Sequence, residues 1–310
     1  MVQFRVYADS TEWHLWQTEK RSMDASNIRI GIIGGSGIYE MAGLEDPRWE
    51  RIETPWGEPS DEFMLARIGG RGVAFLPRHG RGHRLLPSEL NHRANIYALK
   101  TLGVRWIVSL SAVGSLKEEY QPGTFVMPSQ FYDRTKRGTE YTFFGGGIVA
   151  HIGFAHPICG VLQRILFEAA QASGPASLGG TYVNMEGPAF STLAEAQENR
   201  RAGFDVIGMT NLGEAKCARE AEIAYATVAM VTDYDCWHEE HEHVSVNVVL
   251  ECLRKNALRA QRLVADVVPR IPLDVACDCH GALRNAIMTP RHLWPPERVA
   301  RLAAILAPYS

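Results

Sequence analysis

From Ile28 onward the chain predicts an α/β sheet covered by helices on both faces. Two observations carry the prediction. Short apolar runs alternate with stretches of helical periodicity, and most of the runs end in a cluster of Gly, Ser, Thr, Arg or Asp. The expected strands are Ile28–Ile33, Val73–Leu76, Trp106–Leu110, Thr124–Pro128, Gly180–Met185, Val206–Met209 and Tyr225–Val231. The expected helices are Pro87–Leu102, Pro157–Ser173, Thr192–Ala202, Gly213–Ala221 and Val246–Ile271. Ligands of such sheets gather at the carboxyl ends of strands, so the polar clusters mark where chemistry is expected.

With 310 residues, 46% of them hydrophobic, the chain can bury roughly three quarters of its unfolded surface. No repeat, low-complexity tract or linker divides it, which favours one domain over residues 28–271. Residues 272–310 form a C-terminal tail and helix that complete it. Residues 1–27 are polar and aperiodic, and Met23 offers an alternative start before the first strand.

A net charge of −3 excludes a global attraction to nucleic acid or an anionic membrane, so anion binding has to come from a local cluster. There is no apolar run of about 20 residues and no basic-then-apolar leader, so a cytoplasmic protein is expected. Six cysteines spread along a long chain fit reduced thiols. In Cys277-Asp278-Cys279-His280 the readings are a polar stretch or a redox or stabilising pair. Zinc is disfavoured, because no second ligand pair stands at matching spacing.

Four strand ends suggest one phosphate pocket. Gly34-Gly35-Ser36-Gly37 can approach an anion closely, although it lacks both the full dinucleotide fingerprint and the P-loop lysine. Alone it reads equally well as a tight turn. Arg78-His79-Gly80 adds a planar fork suited to phosphate oxygens. Ser111-Ala112-Val113-Gly114 is expected to be a turn closing the strand that ends at Leu110, offering a hydroxyl and N–H groups. Met209-Thr210 closes another strand.

Thr232-Asp233-Tyr234-Asp235-Cys236-Trp237 follows an apolar run, placing two carboxylates among aromatics, where partial desolvation raises at least one pKa. The alternative is an Asx turn capping the next element. In His238–His243 the histidines of His238-Glu239-Glu240-His241 stand three apart, one residue short of the zinc-helix motif, and a charged flap is the preferred reading.

These segments, in this order, together with Asn91-His92-Arg93-Ala94-Asn95 and Met185-Glu186-Gly187-Pro188-Ala189-Phe190-Ser191-Thr192, resemble the methylthioadenosine phosphorylases, the 6-aminopurine branch of the trimeric purine nucleoside phosphorylases. The resemblance covers Ile28 to about Ile271. It implies a mixed, mainly parallel sheet with a distorted barrel, a homotrimer or dimer of trimers, and no cofactor or metal beyond inorganic phosphate as co-substrate. Phosphate would be held by Ser36, Arg78, His79, Ser111, Ala112 and Thr210. Phe190 would pack on the purine, Ser191 would bear on base preference, and Met209 would lie under the ribose. Val246, Val249 and His83 would line the 5′ pocket, and a neighbouring subunit would add His151 and part of the tail near Leu283–Met288. Asp233 and Asp235 would be the catalytic pair, Asp233 protonating the leaving base. The Cys277–Cys279 pair resembles a stabilising C-x-C of certain prokaryotic members.

The resemblance thus implies phosphorolysis of an adenine nucleoside. The rivals are a phosphorylase whose main substrate is adenosine, inosine or methylthioinosine, a nucleosidase using water, and a non-enzymatic nucleotide-binding module.

Overall fold

The computed structural model describes residues 28–35, 41–238, 246–275 and 277–309. Among these, eleven strands form one sheet. In chain order the main elements are β1 (Ile28–Gly34), β2 (Glu45–Glu50), β3 (Phe63–Ile68), β4 (Arg71–Pro77), α1 (His92–Thr101), β5 (Trp106–Ser115), β6 (Phe125–Met127), β7 (Gln130–Asp133) and α2 (Gly160–Ser173). They continue with β8 (Ala176–Leu178), β9 (Thr181–Asn184), α3 (Leu193–Arg201), β10 (Val206–Gly208), α4 (Asn211–Glu220), β11 (Ala224–Asp233), α5 (Val246–Val267), α6 (Pro296–Arg301) and α7 (Ala303–Leu306). The expected segment 1–27 lies outside the described residues.

The sheet is mixed and mainly parallel, as expected: β1 runs parallel to β4 and β5, β5 to β11, β9 to β7 and β10, and β6 to β8. The interior strands are near-continuous apolar runs because both their faces are covered. In β5, Trp106, Ile107, Val108 and Leu110 are fully buried. The expected barrel appears as a fork instead of a ring. Along β5, β1 pairs only with Trp106–Ser109, whereas β10 joins antiparallel at Gly114 and Ser115. β11 covers the opposite edge from Trp106 to Gly114. The ladders among the described strands do not close.

Two differences from the expected elements bear on the site. Ser111-Ala112-Val113-Gly114 is not a turn; β5 continues through it to Ser115. It does so because β11 supplies main-chain partners, Ser111 opposite Ala229 and Gly114 opposite Asp233. The strands β2, β3, β7 and β8 also emerge in addition to those expected. Of these, β3 and β4 form a hairpin across Gly69 and Gly70, both with positive φ (55° and 74°), the geometry that matches the twist of paired strands. At Thr192 a capping box starts the expected helix: the Thr192 hydroxyl accepts from the Glu195 N–H, and the Glu195 carboxylate accepts from the Thr192 N–H at 2.8 Å.

Candidate active site

The fork in the sheet gathers the residues expected to bind an anion, the anion side of the site. β1 ends at Gly34, and the Gly34 carbonyl accepts from the Arg78 N–H at 2.9 Å, which turns the chain after β4 toward β5. Past the last β1 partner of β5, and before β10 begins, Arg78 Nη1 donates to the Leu110 carbonyl at 2.8 Å. The guanidinium is 3% exposed. Its Nε and Nη2 donate to Glu214 on α4, and Nη2 also donates to the Ser109 hydroxyl. Glu214 further accepts from Ser109 Oγ at 2.7 Å, Tyr225 Oη at 2.8 Å and Asn211 Nδ2 at 3.3 Å.

Burial works against the charge of both partners, but their mutual attraction outweighs it: Glu214 stays below the usual carboxylate range and Arg78 above its ordinary value. Of the five guanidinium N–H groups, these bonds engage four, which leaves one on Nη1 for an incoming ligand. Arg78 is therefore less a free phosphate fork than a fixed charge with one donor to spare.

His79, the next residue, is pushed down to about 4, first by burial and then by the adjacent Arg78. It is neutral near pH 7. Its Nδ1 faces the Leu85 carbonyl at 2.9 Å, so the proton sits there and the Nε2 lone pair is left to accept. The ring stacks on His83, centroids 4.4 Å apart. Such an imidazole can accept a hydrogen bond from the P–OH of a singly protonated phosphate.

Thr210 precedes α4, is buried, and its hydroxyl caps nothing in the helix. Helix N-termini with spare N–H groups favour anions. The Tyr182 hydroxyl lies beside both Ser111 and the Thr210 backbone, so the two residues meet across one tyrosine. Ser111 is buried in β5, with Ala112 next to it on the strand opposite Met230.

The carboxylate pair, expected to meet the base, lies where β11 ends. Asp233 faces Gly114, and a Cβ there would come within 3.0 Å of Asp233 Oδ1 and 3.1 Å of Ile207 Cγ2. Only a glycine lets the carboxylate lie so close to β5. Asp233 Oδ1 accepts from the Asp235 N–H at 2.8 Å, and Oδ2 from the Thr232 hydroxyl at 2.7 Å. The Asx turn considered from sequence is present, and no helix follows it among the described residues up to His238.

Asp235, at φ 53°, closes that turn; it is buried, and its Oδ2 has no hydrogen-bond partner among the described residues. Burial, assisted by the neighbouring charge of Asp233 and opposed by the nearness of Ser191, pushes Asp235 up to about 6. Burial also raises Asp233, against the bonds from Thr232 and from the Asp235 N–H. Neither carboxylate has a cation partner in these contacts. A half-filled carboxylate pair of this kind can hold a proton and take donors from a ligand.

The segment carrying Phe190 reaches this pair from the other side. The Ser191 carbonyl accepts from Cys236 Sγ at 3.3 Å, and Ser191 Oγ points to Met185 Sδ at 3.8 Å. Phe190 is exposed, an apolar ring standing free beside polar groups. Met209 packs its sulfur over Gly187 in the same segment. Trp237 is fastened by Nε1 to the Ser115 carbonyl at 2.7 Å and covered by Arg200, 3.5 Å above the ring.

The structure thus brings Arg78, Ser111 and Thr210 together at the fork, His79 and His83 beside them in sequence, and Asp233, Asp235 and Ser191 around Gly114. Ser36 lies outside the described residues, as do the side chains of Val246 and Val249 and the flap histidines His241 and His243. His238 pairs with Glu118 at 3.0 Å. His151 is exposed and hydrogen-bonded to the Ala286 carbonyl at 2.8 Å, on a patch shared with Val149 and Met288.

Sequence reasoning missed Glu214, Ser109, Asn211 and Tyr225, which hold the anion side in place. The available signal was a glutamate on the same helix as Leu212, Ala215 and Cys217, a placement tolerated in a core only when a cation or donors meet it.

Comparison with known proteins agrees with this geometry. Residues 29–269 match the model of the phosphorylase superfamily. The chain is 56% identical over 281 residues to an S-methyl-5′-thioadenosine phosphorylase of Koribacter versatilis, covering 90% of this chain and 96% of that protein. It is 53% identical to one of Geobacter sulfurreducens, covering 90% and 98%. A crystal structure of a methylthioadenosine phosphorylase from an antarctic soil metagenomic library superimposes with TM-score 0.86 at 49% identity, covering 91% of this chain and 99% of the other. The Schistosoma mansoni enzyme in complex with adenine gives TM-score 0.76 at 34% identity, covering 90% and 98%. With likeness of this extent, the chain belongs to the phosphorylase superfamily and, within it, to the S-methyl-5′-thioadenosine phosphorylases.

Proposed function

We propose that the protein catalyses phosphorolysis of S-methyl-5′-thioadenosine to adenine and 5-methylthioribose 1-phosphate. The observation that carries this reading is the pair Asp233 and Asp235: a half-buried and a buried carboxylate with no cation partner among the described residues, one with an oxygen unbonded among them, a few strand positions from a fixed arginine. Adenine brings what such a pair lacks, N–H donors from its 6-amino group and an N7 that accepts a proton. Asp233 donates that proton, so the base departs neutral, and Asp235 accepts from the amine.

Phosphate is bound by Arg78, His79, Ser111, Thr210 and the main chain at Ala112, with Ser36 closing the pocket. It waits on the face of the ribose opposite the base. As the C1′–N9 bond lengthens, positive charge grows on the sugar and phosphate stabilises it before bonding to C1′. Positioning and charge complementarity therefore supply most of the acceleration. Phe190 stacks on the purine and Met209 lies under the ribose. Val246, Val249 and His83 receive the methylthio group. The His151 patch, with the segment near Leu283–Met288, completes the site of a neighbouring subunit in a homotrimer or dimer of trimers.

Initial rates with methylthioadenosine, adenosine, inosine and methylthioinosine, each with and without phosphate, test the assignment. The expected result is phosphate-dependent release of adenine, with 6-oxopurines disfavoured by a factor on the order of 10⁴, because their O6 would leave the buried carboxylates unpaired. Preference for inosine would overturn the base assignment, and turnover without phosphate would make the enzyme a hydrolase.

A further inference from the structure

Away from the active site, the fold assembles three thiols from two distant parts of the chain. Cys159 immediately precedes α2, and its N–H donates to the Tyr225 carbonyl of β11 at 2.8 Å. Cys277 and Cys279 lie on the C-terminal segment. The sulfurs of all three lie within 4.8 Å of one another, and those of Cys159 and Cys277 are 3.9 Å apart. Metal–thiolate bonds of about 2.3 Å hold sulfurs about 3.8–4.0 Å from each other around one ion, so the trio stands close to a metal-centred arrangement. Cys159 and Cys279 are buried, and Cys277 is half-buried, which leaves an ion a route in.

A second observation concerns His280. Its Nε2 faces the Arg105 carbonyl at 3.0 Å and is therefore the protonated nitrogen, while Nδ1 accepts from the Cys277 N–H at 3.5 Å. The ring is thus fixed at both nitrogens by main-chain groups, beside Cys277, and its weak 3.5 Å contact is the one an incoming ion would have to displace for Nδ1 to bind. The ring is held in that attitude edge-on to Trp106, centroids 5.0 Å apart. The backbone on each side is anchored, with Leu283 N–H donating to Glu222 at 2.9 Å. The sulfurs are thus positioned by main-chain bonds that need no ion.

We propose that Cys159, Cys277 and Cys279 form a binding site for one thiophilic d10 metal ion, of the zinc or cuprous class, with His280 beside the fourth position. Soft thiolates select these ions over magnesium or calcium, and a three-thiolate set suits both. Binding releases the thiol protons to solvent and ties the C-terminal segment to the start of α2 and, through Cys159, to β11. The site is structural and independent of the phosphorolysis reading.

The test uses the full chain reduced with a phosphine, then exposed to zinc or cuprous ion against a chromophoric chelator. The expected result is uptake of about one ion per chain, a thiolate-to-metal charge-transfer band with cobalt as a zinc surrogate, and a thermal midpoint that rises with metal concentration. Cys159→Ser should weaken binding beyond the roughly 10- to 100-fold typical of outer partners, and Cys279→Ser likewise. Cys217→Ala, at a lone buried thiol, should leave it unchanged. Weaker zinc binding in His280→Ala assigns the four-coordinate zinc class, and unchanged cuprous binding in that variant assigns the three-coordinate class. Phosphorolysis should be retained in every variant. Should Cys159→Ser fail to fold, the cobalt spectrum and Cys279→Ser decide. Substoichiometric uptake by the reduced chain, or affinity indifferent to both cysteine variants, would overturn the proposal.

Discussion

The two sides of the active site handle buried charge in opposite ways. On the anion side, Arg78 and Glu214 are both nearly inaccessible and almost fully bonded to each other, Ser109, Tyr225 and the Leu110 carbonyl. In the carboxylate pair, Asp233 is half-buried and Asp235 buried, neither has a cation partner among the described residues, and Asp235 Oδ2 is bonded to none of them. The first arrangement is complete before a ligand arrives, so its positive charge is held ready. The second is complete only when a ligand supplies donors and a place for a proton. A permanent charge suits a co-substrate that is always an anion, whereas an uncompensated carboxylate pair suits a base that must be protonated as it leaves.

Asp233→Asn should cut into this contrast most deeply. With the acid gone, kcat/KM for methylthioadenosine should fall on the order of 10²–10⁴-fold, with relative preference moving toward 6-oxopurines because an amide donates to O6. In the wild type Asp235 loses its proton as pH rises through about 6 and burial raises Asp233 beside it, so kcat/KM should decline with rising pH as the pair ionises and level off at low pH. Unchanged rates or a flat profile in the wild type would remove Asp233 from its role.

Glu214→Gln probes the other side. Taking the negative partner from a buried ion pair leaves an uncompensated guanidinium, and denaturation should register a loss of about 3–5 kcal/mol. The KM for phosphate should rise while that for nucleoside changes little. A stable variant with normal phosphate saturation would mean that the pair is not what holds Arg78.

Gly114→Ala should have the smallest effect. The added methyl meets Asp233 Oδ1 and Ile207, so the carboxylate must shift by a few tenths of an ångström. A loss on the order of 10-fold in nucleoside kcat/KM is expected, with phosphate KM unaltered. Equal effects on both substrates would show that the two sides are not separable.

How far each side was legible in the sequence follows from the same contrast. Asp233 and Asp235 are two residues apart and next to a strongly apolar run, so local pattern was enough to single them out. The expected strand ends at Arg78 and Thr210 were legible for the same reason. Glu214 was not, because its partners Arg78, Ser109 and Tyr225 lie on three other elements, and no local periodicity records a pairing across 136 positions. The β3–β4 hairpin left a clear signal in Gly69-Gly70 between apolar runs, one that the list of expected strands passed over. The strands β7 and β8 left little, since three or four residues joined through main-chain bonds need no apolar pattern.

The thiol trio is the extreme case: Cys277 and Cys279 announced themselves by spacing, but the sulfur that changes their chemistry comes from 118 positions earlier. By itself, the sequence determined the α/β class, the strand ends that carry chemistry and the carboxylate pair, because these depend on residue type and short-range period. The tertiary structure alone decided that β5 runs on through Ser111, that the sheet forks instead of closing, which arginine donors remain free and which carboxylate oxygen is left unbonded. Those outcomes depend on which main-chain and side-chain groups find partners from distant segments, and that is settled only when the strands are laid side by side.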